Sequence, residues 1–287
     1  MKNKKIGVIG ADRRLSVVGD RLAGCGYEVC LFGGINSENQ KNISSLRACC
    51  EGAGALILPL PYSRDGRWLN CPGGKSAVSV KAVIDEARSG CIIFGGCFDD
   101  AFFEKAADGK IKAVDYYDSE RVQILNALPT CEGAICEAIS ATEKTLAFSE
   151  VFVCGYGRIG SLLSEKLSLL GARVNVASLN EKSLAKARIR GFDICPLDRL
   201  KTRISEADII FNTVPHKIIS HDEAVKIKPE CVYIELASAP GGIDKAYAEE
   251  KGIKIISAQG LPSKYAPVSA GEIIADFIKE KIKEEER

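Results

Sequence analysis

Short apolar runs rich in β-branched residues alternate with stretches of helical periodicity along almost the whole chain. In the first part the runs are KKIGVIG (residues 4–10), YEVCLFG (27–33), GALILPL (54–60), GCIIFGG (90–96) and KIKAVDY (110–116), with helical patterns through Leu22 and over residues 78–88. Runs buried on both faces and joined by helices are the wording of βαβ units, which predicts a parallel sheet. From Asn126 the character changes: Pro129 and Thr130 open a helix over residues 127–148, whose small apolar residues predict an interdomain element. A second α/β series follows, with strands at EVFVC (150–154), RVNVAS (173–178), ADIIFNTVP (207–215), CVYIELA (231–237) and IKIISAQ (253–259). The expected fold class is therefore α/β, with two doubly wound parallel-sheet domains, the second a Rossmann dinucleotide-binding domain. The expected boundaries are 1–126 for an N-terminal substrate domain, 149–262 for the Rossmann domain, and 263–287 for a C-terminal segment packing back toward the N-terminal domain. Its helix, from Val268 to about Lys283, carries Ile273, Ile274, Phe277, Ile278 and Ile282 as one stripe.

Two domains suit a chain of 287 residues, and 46% hydrophobic with 27% charged residues excludes disorder, collagen and a coiled coil as global descriptions. The 39 basic and 38 acidic residues leave a net charge of +1, so nothing electrostatic favours nucleic acid or an anionic membrane. Of the 12 cysteines, Cys30, Cys91, Cys154 and Cys231 sit singly in apolar runs, and none forms a CxxC pair. With His216 and His221 the only histidines, no metal site is expected. No apolar run reaches the roughly 18 residues of a membrane span, which makes the cytoplasm the expected location.

The motif with most chemical content is Gly155-Tyr156-Gly157-Arg158-Ile159-Gly160, after one apolar strand and before a helix. In that context Gly155 permits a tight turn, Gly157 admits a pyrophosphate against the backbone, and Gly160 lets the helix pack on the strand. The end of the next strand reads which dinucleotide binds, because a carboxylate there accepts from the adenosine ribose and repels a 2′-phosphate. Here Ser178, Leu179 and Asn180 are neutral; with Lys182 nearby the balance leans toward NADP, NAD remaining open. Thr213, Val214 and Pro215 end a later strand and are expected beside the nicotinamide ribose. His216 follows, and a surface histidine at a helix start accounts for it better than proton transfer does.

The segment 235–244 (ELASAPGGID) places Ser238, Gly241 and Gly242 in a turn whose exposed amides and hydroxyl would face a reacting ring, and a purely structural turn accounts for it equally well. Arg13, Arg14, Arg64 and Arg67 are the best cations for clamping a carboxylate. Arg14 stands out because it follows a strand; Arg64 does because it lies in the irregular, Trp68-containing segment 59–75. Glu132, read as lying at the start of the interdomain helix, is a candidate general base, though an acid that suits the helix dipole is the commoner reading.

Several motifs in this order resemble the family of the dipicolinate synthase A subunits of spore-forming bacteria: IGVIGADRR (6–14), LPTCEG (128–133), GYGRIG (155–160), NTVP (212–215), LASAPGGIDKAYAEEKGIK (236–254) and GLPSKYAPVSAGEI (260–273). The resemblance runs over nearly the whole chain. It implies a sporulation enzyme that oxidises dihydrodipicolinate to the aromatic dicarboxylate, passes hydride to NADP+, and works with a flavoprotein-like partner, the B subunit of the synthase. Leu179 stands where an arginine would settle the preference for NADP. Under this reading Arg14, Arg64, Thr130, Gly241 and Gly242 hold the dicarboxylate between the domains, and Glu132 or Asp244 takes the proton. Ser238 and Gly260 position the ring, and Leu261 and Pro262 join Gly260 at the cofactor. Two other readings remain: a 2-hydroxy-acid dehydrogenase, opposed by the lack of a histidine in residues 258–267, and a nucleotide-binding protein that regulates its partner without catalysing.

Overall fold

The apolar runs become strands because almost every residue in them is covered on one sheet face or the other. The computed structural model describes residues 5–33, 40–71 and 77–287. In chain order the first elements are β1 (Lys5–Ile9), α1 (Arg13–Ala23), β2 (Glu28–Phe32), β3 (Lys41–Ile43), α2 (Leu46–Cys50) and β4 (Ala55–Ile57). Then come α3 (Val80–Glu86), β5 (Ile92–Gly95), α4 (Asp100–Asp108), β6 (Lys112–Asp115) and the long helix α5 (Glu120–Ala141). After it lie β7 (Glu150–Cys154), α6 (Arg158–Leu169), β8 (Arg173–Ser178), α7 (Glu181–Ile189), β9 (Asp193–Pro196), α8 (Leu200–Arg203) and β10 (Ile209–Asn212). The chain closes with α9 (His221–Ala224), β11 (Val232–Glu235), α10 (Lys245–Glu250), β12 (Lys254–Ser257), α11 (Leu261–Tyr265) and α12 (Pro267–Glu285).

The strands form two six-stranded sheets, in the orders β3-β2-β1-β4-β5-β6 and β12-β11-β10-β7-β8-β9. All strand pairs within them are parallel. Read from β9, the second sheet repeats the order of the first, so each reverses direction between its first and fourth strands, at β1/β4 and β7/β10. That reversal opens a crevice beyond the carboxyl ends of the strands, where doubly wound sheets bind ligands.

The chain divides into two units, Met1–Asn126 with Ala266–Arg287, and Ala127–Tyr265. In the first, Ile6, Val8, Ala55 and Ile57 face a core shared with Leu15, Val18 and Leu22 of α1 and Ile274, Ile278 and Ile282 of α12. Each of the Ile, Leu and Val side chains contributes about 1.5–3 kcal/mol when fully buried. The opposite face, with Ile9, Leu56 and Ile93, packs on Cys49, Val83 and Phe102 of α2, α3 and α4. In the second unit Val151 and Val153 pack with Ala134 and Ala138 of α5 and Leu163 and Leu167 of α6. Phe152 and Cys154 face Leu200 of α8, Ala224 of α9 and Ala248 of α10.

Helix α5 departs from the sequence expectation of residues 127–148. It begins at Glu120 and carries Pro129 in its interior, ending at Ala141. The helical pattern already present in residues 120–128 outweighs the single backbone hydrogen bond that a proline forgoes. Strands β3 and β9 and helices α2 and α4 are further elements that the pattern does not single out. The strands are only three and four residues long, too short to show a period.

Candidate functional site

The turn between β7 and α6 is built around its glycines. Gly155 has φ of +94°, a left-handed value open to glycine, and its N–H donates to the Ala177 carbonyl at 2.8 Å. A β-carbon there would lie 2.3 Å from Thr213 Oγ1, and one on Gly160 only 2.1 Å from the Gly155 carbonyl oxygen. Gly157 differs: a β-carbon would meet nothing within 4 Å. As the N-cap of α6 it has no capping side chain, so first-turn amides remain for an outside acceptor beside open space. The turn therefore fits a pyrophosphate. Thr213 pins the end of β10 to the end of β7, its N–H and hydroxyl both donating to the Cys154 carbonyl, at 2.9 and 2.8 Å.

Within the motif, Arg158 opens α6 and is exposed, whereas Tyr156 and Ile159 pack against the core. The Cys131 thiol donates to the Ile159 carbonyl at 3.5 Å. Burial pushes this thiol up to about 12 despite the nearby Lys166, so it stays neutral.

At the end of β8, Ser178 is buried and its Oγ accepts from the Asn180 N–H at 3.1 Å, leaving the hydroxyl proton to donate. Asn180 caps α7 by accepting from the Ser183 N–H at 3.2 Å. Leu179 is 77% exposed, and Lys182 is exposed in the first turn of α7. No carboxylate ends this strand.

Two residues that the sequence pattern does not single out organise the ends of β10 and β11. Asn212 and Glu235 are both buried, and the Asn212 amide nitrogen donates to Glu235 Oε1 at 2.7 Å. Glu235 also accepts from the Ala237 N–H at 3.0 Å, the Gly242 N–H at 2.7 Å and the Tyr233 hydroxyl at 3.2 Å. The available signal is a polar residue closing an apolar run, FN in one strand and IE in the other. This network corrects the expectation that the turn after β11 offers its glycine amides outward: Gly242 donates to Glu235, and Gly241 donates to the Ser238 carbonyl at 3.1 Å. Both glycines are buried while Ser238 is exposed.

Asp244 is exposed, caps α10 and pairs with Lys217 at 2.9 Å. The Lys217 ammonium and the cap hydrogen bonds hold its carboxyl below the usual range. Gly260 has φ of +71°, and Leu261 and Pro262 beyond it are buried. Leu261 packs on α5, where a β-carbon on Gly133 would lie 2.8 Å from it, so its side chain belongs to the core. Glu132 and Thr130 also lie on α5; Glu132 sits well inside the helix rather than at its start, 3.2 Å from Lys166. His216 is exposed after β10.

In the first unit Arg14 is buried at 5% exposure and turned inward. It donates through Nε to both Asp12 oxygens at 3.0 Å, and through Nη2 to Asp12 and, at 2.7 Å, to the Leu60 carbonyl. Burial pulls its pKa down, but the hydrogen bond and charge of Asp12 outweigh that, and the net shift is upward. The guanidinium expected to clamp a ligand thus ties the turn after β1 to the segment after β4. Arg64 is exposed, on a turn fixed by its neighbours: Ser63 Oγ accepts from the Gly66 N–H at 2.9 Å, and Asp65 accepts from the N–H groups of Arg67 and Trp68 at 2.9 and 3.0 Å. Arg67 and Trp68 are exposed on the same turn. The end of the irregular segment, residues 72–75, lies outside the described residues.

Residues 5–117 match the family of N-terminal domains of the dipicolinate synthase A subunit. Over 282 residues the chain is 32% identical to the A subunit of dipicolinate synthase from Bacillus subtilis strain 168, covering 96% of this chain and 94% of that one. The chain belongs to the dipicolinate synthase A-subunit family. Its residues 127–274 match the NAD-binding domain of S-adenosyl-L-homocysteine hydrolase, which makes the second unit a domain of the nicotinamide-dinucleotide-binding type. The solved structure of the A chain of dipicolinate synthase from Bacillus subtilis superposes with a TM-score of 0.83 at 30% identity, covering 98% of this chain and 96% of that one. The A subunit from Bacillus halodurans shares the fold, with a TM-score of 0.86 at 24% identity over 98% of both chains. Among the described residues of this dipicolinate synthase family member, no helix is long and apolar enough to cross a membrane. No group of three or more His, Cys, Asp or Glu residues able to hold a metal ion occurs among them either.

Proposed function

We propose that this protein oxidises dihydrodipicolinate to dipicolinate with NADP+ as the acceptor, in the cytoplasm of a sporulating cell and together with a second polypeptide. The carrying observation is the turn at residues 155–160, closed by Gly155 and Gly160 and open at Gly157. Its amides receive the pyrophosphate, Ser178 and Lys182 receive the adenosine end, and residues 213–215 lie toward the nicotinamide ribose. A nicotinamide held there would supply the acceptor for a hydride lost by the dihydropyridine ring together with a proton, the ring's gain of aromaticity driving the reaction. NADP is favoured over NAD because β8 ends in Ser178 without a carboxylate.

The substrate carries two carboxylates, and Arg64, with Arg67 beside it, offers guanidinium groups from a turn whose backbone is already fixed. Arg14 contributes by shaping this region through Asp12 and Leu60. For the proton, Glu132 is preferred to Asp244, which is occupied as a helix cap and held acidic by Lys217. Because the relatives are named as one lettered subunit of a synthase, a companion B subunit is part of this reading, and the complete site is shared with it.

The test is absorbance at the reduced-nicotinamide band after mixing the chain with NADP+ and dihydrodipicolinate, alone and with the B subunit. A rise in either mixture supports the proposal, and a rise only with the companion present assigns part of the site to that partner. No rise in either mixture overturns it.

A further inference from the structure

The buried carboxylate of Glu235 is unusual for its surroundings. It is 3% exposed, and its four hydrogen-bond partners, the Asn212 amide, the N–H groups of Ala237 and Gly242 and the Tyr233 hydroxyl, are all neutral. A buried carboxylate without a cation is costly, and an uncharged group could end the strand at less expense. What the carboxylate supplies is four acceptor sites at one point.

Those sites join two loops. On one side Asn212 is fixed in orientation: its Oδ1 accepts from the Val214 N–H at 3.0 Å, so its nitrogen faces the Val214 carbonyl at 2.9 Å and Glu235. Asn212 therefore holds residues 213–215, and Thr213 in turn lies against the glycine turn at Gly155. On the other side Glu235 anchors Ala237 and Gly242, the two ends of the turn that carries Ser238. A β-carbon on Gly242 would lie 2.4 Å from the Asn212 nitrogen and 2.6 Å from the Tyr233 hydroxyl, so the backbone itself closes over the network.

We infer that Glu235 is a positioning residue for the nicotinamide half of the cofactor, setting residues 213–215 and the turn at 237–242 against each other, while the backbone of the glycine turn at 155–160, fixed by its own close contact between Gly155 and Gly160, holds the adenosine and pyrophosphate half. The inference rests on the dinucleotide reading above and assigns a role to a residue that does not itself touch the ligand.

The experiment is calorimetric titration of the full chain and of Glu235→Gln with NADP+ and with 2′-phospho-ADP, which lacks both nicotinamide and the ribose that carries it. In the variant an amide N–H₂ replaces one carboxylate oxygen and faces donors. The expected result is an NADP+ affinity lowered by about tenfold, with fragment affinity unchanged, because hydrogen bonds to a charged group are lost on one side only. Tyr233→Phe removes a single donor and is expected to act in the same direction more weakly, which keeps the test open if Glu235→Gln fails to fold. Equal losses for both ligands, or no change in either, overturn the positioning role. Failure of the unaltered chain to bind either ligand, alone and with the B subunit, overturns the dinucleotide reading itself.

Discussion

Gly160 approaches Gly155 so closely that a β-carbon on the first would lie 2.1 Å from the carbonyl oxygen of the second. The contact is with backbone, which cannot rotate away. Gly160→Ala is therefore expected to force α6 from β7, costing about 1–3 kcal/mol by overpacking and weakening dinucleotide binding together with stability. Thermal melting checks it; an unchanged Tm would mean that the turn is looser than described.

Arg14 and Arg64 are expected to separate stability from substrate binding. Arg14→Ala removes the cation paired with the largely buried Asp12 carboxylate and frees the Leu60 carbonyl, a change of about 3–5 kcal/mol for a buried pair. Arg64→Ala removes an exposed side chain and is expected to leave the urea midpoint unchanged while raising KM for the dicarboxylate. A substrate defect in Arg14→Ala without loss of stability would return Arg14 to the site.

The sequence pattern reveals the doubly wound architecture and the glycine turn because both depend on local periodicity and spacing. Which way a polar side chain turns and what closes around it are less visible. Arg14 looks like a free cation until Asp12 and Leu60 close around it, and Glu235 looks like the last residue of an apolar run until Asn212, Tyr233 and Gly242 meet it. Pro129 misleads for a different reason: read locally it starts a helix, and only the residues before it show that the helix is already under way.

Alkaline pH should destabilise the fold through its thiols. Burial, foremost, holds Cys49, Cys50, Cys131 and Cys231 at about 12, against an ordinary value of 9.0. Their contribution is fully present below pH 9.0 and is lost as pH rises toward 12, because the unfolded chain releases these protons first. Each thiol adds a slope of about 1.4 kcal/mol per pH unit in that window. Urea midpoints under reducing conditions at pH 8, 9 and 10 measure it, and Cys231→Ala should flatten the dependence. Stability constant across this range would contradict the burial described.

The first unit repeats the strand order of the second, yet one dinucleotide per chain is expected. The N-terminus of α1 already carries the Asp12 carboxylate, which accepts from the Arg14 N–H at 2.9 Å and places negative charge where a phosphate would sit. Equilibrium dialysis with labelled NADP+ gives the stoichiometry, and two equivalents would show that the first turn also accepts phosphate.

The central claim is that the open face at Gly157 receives the cofactor pyrophosphate. Gly157→Ala adds a methyl group where the protein has no atom within 4 Å, so it should fold with an unchanged Tm. Calorimetric titration of the unaltered chain and this variant with NADP+ and NAD+ is the direct measurement. The account predicts one equivalent bound by the unaltered chain and an affinity at least about tenfold weaker in the variant. Equal affinities in the two proteins, or no binding of either nucleotide by the unaltered chain, alone and with the B subunit, would contradict it.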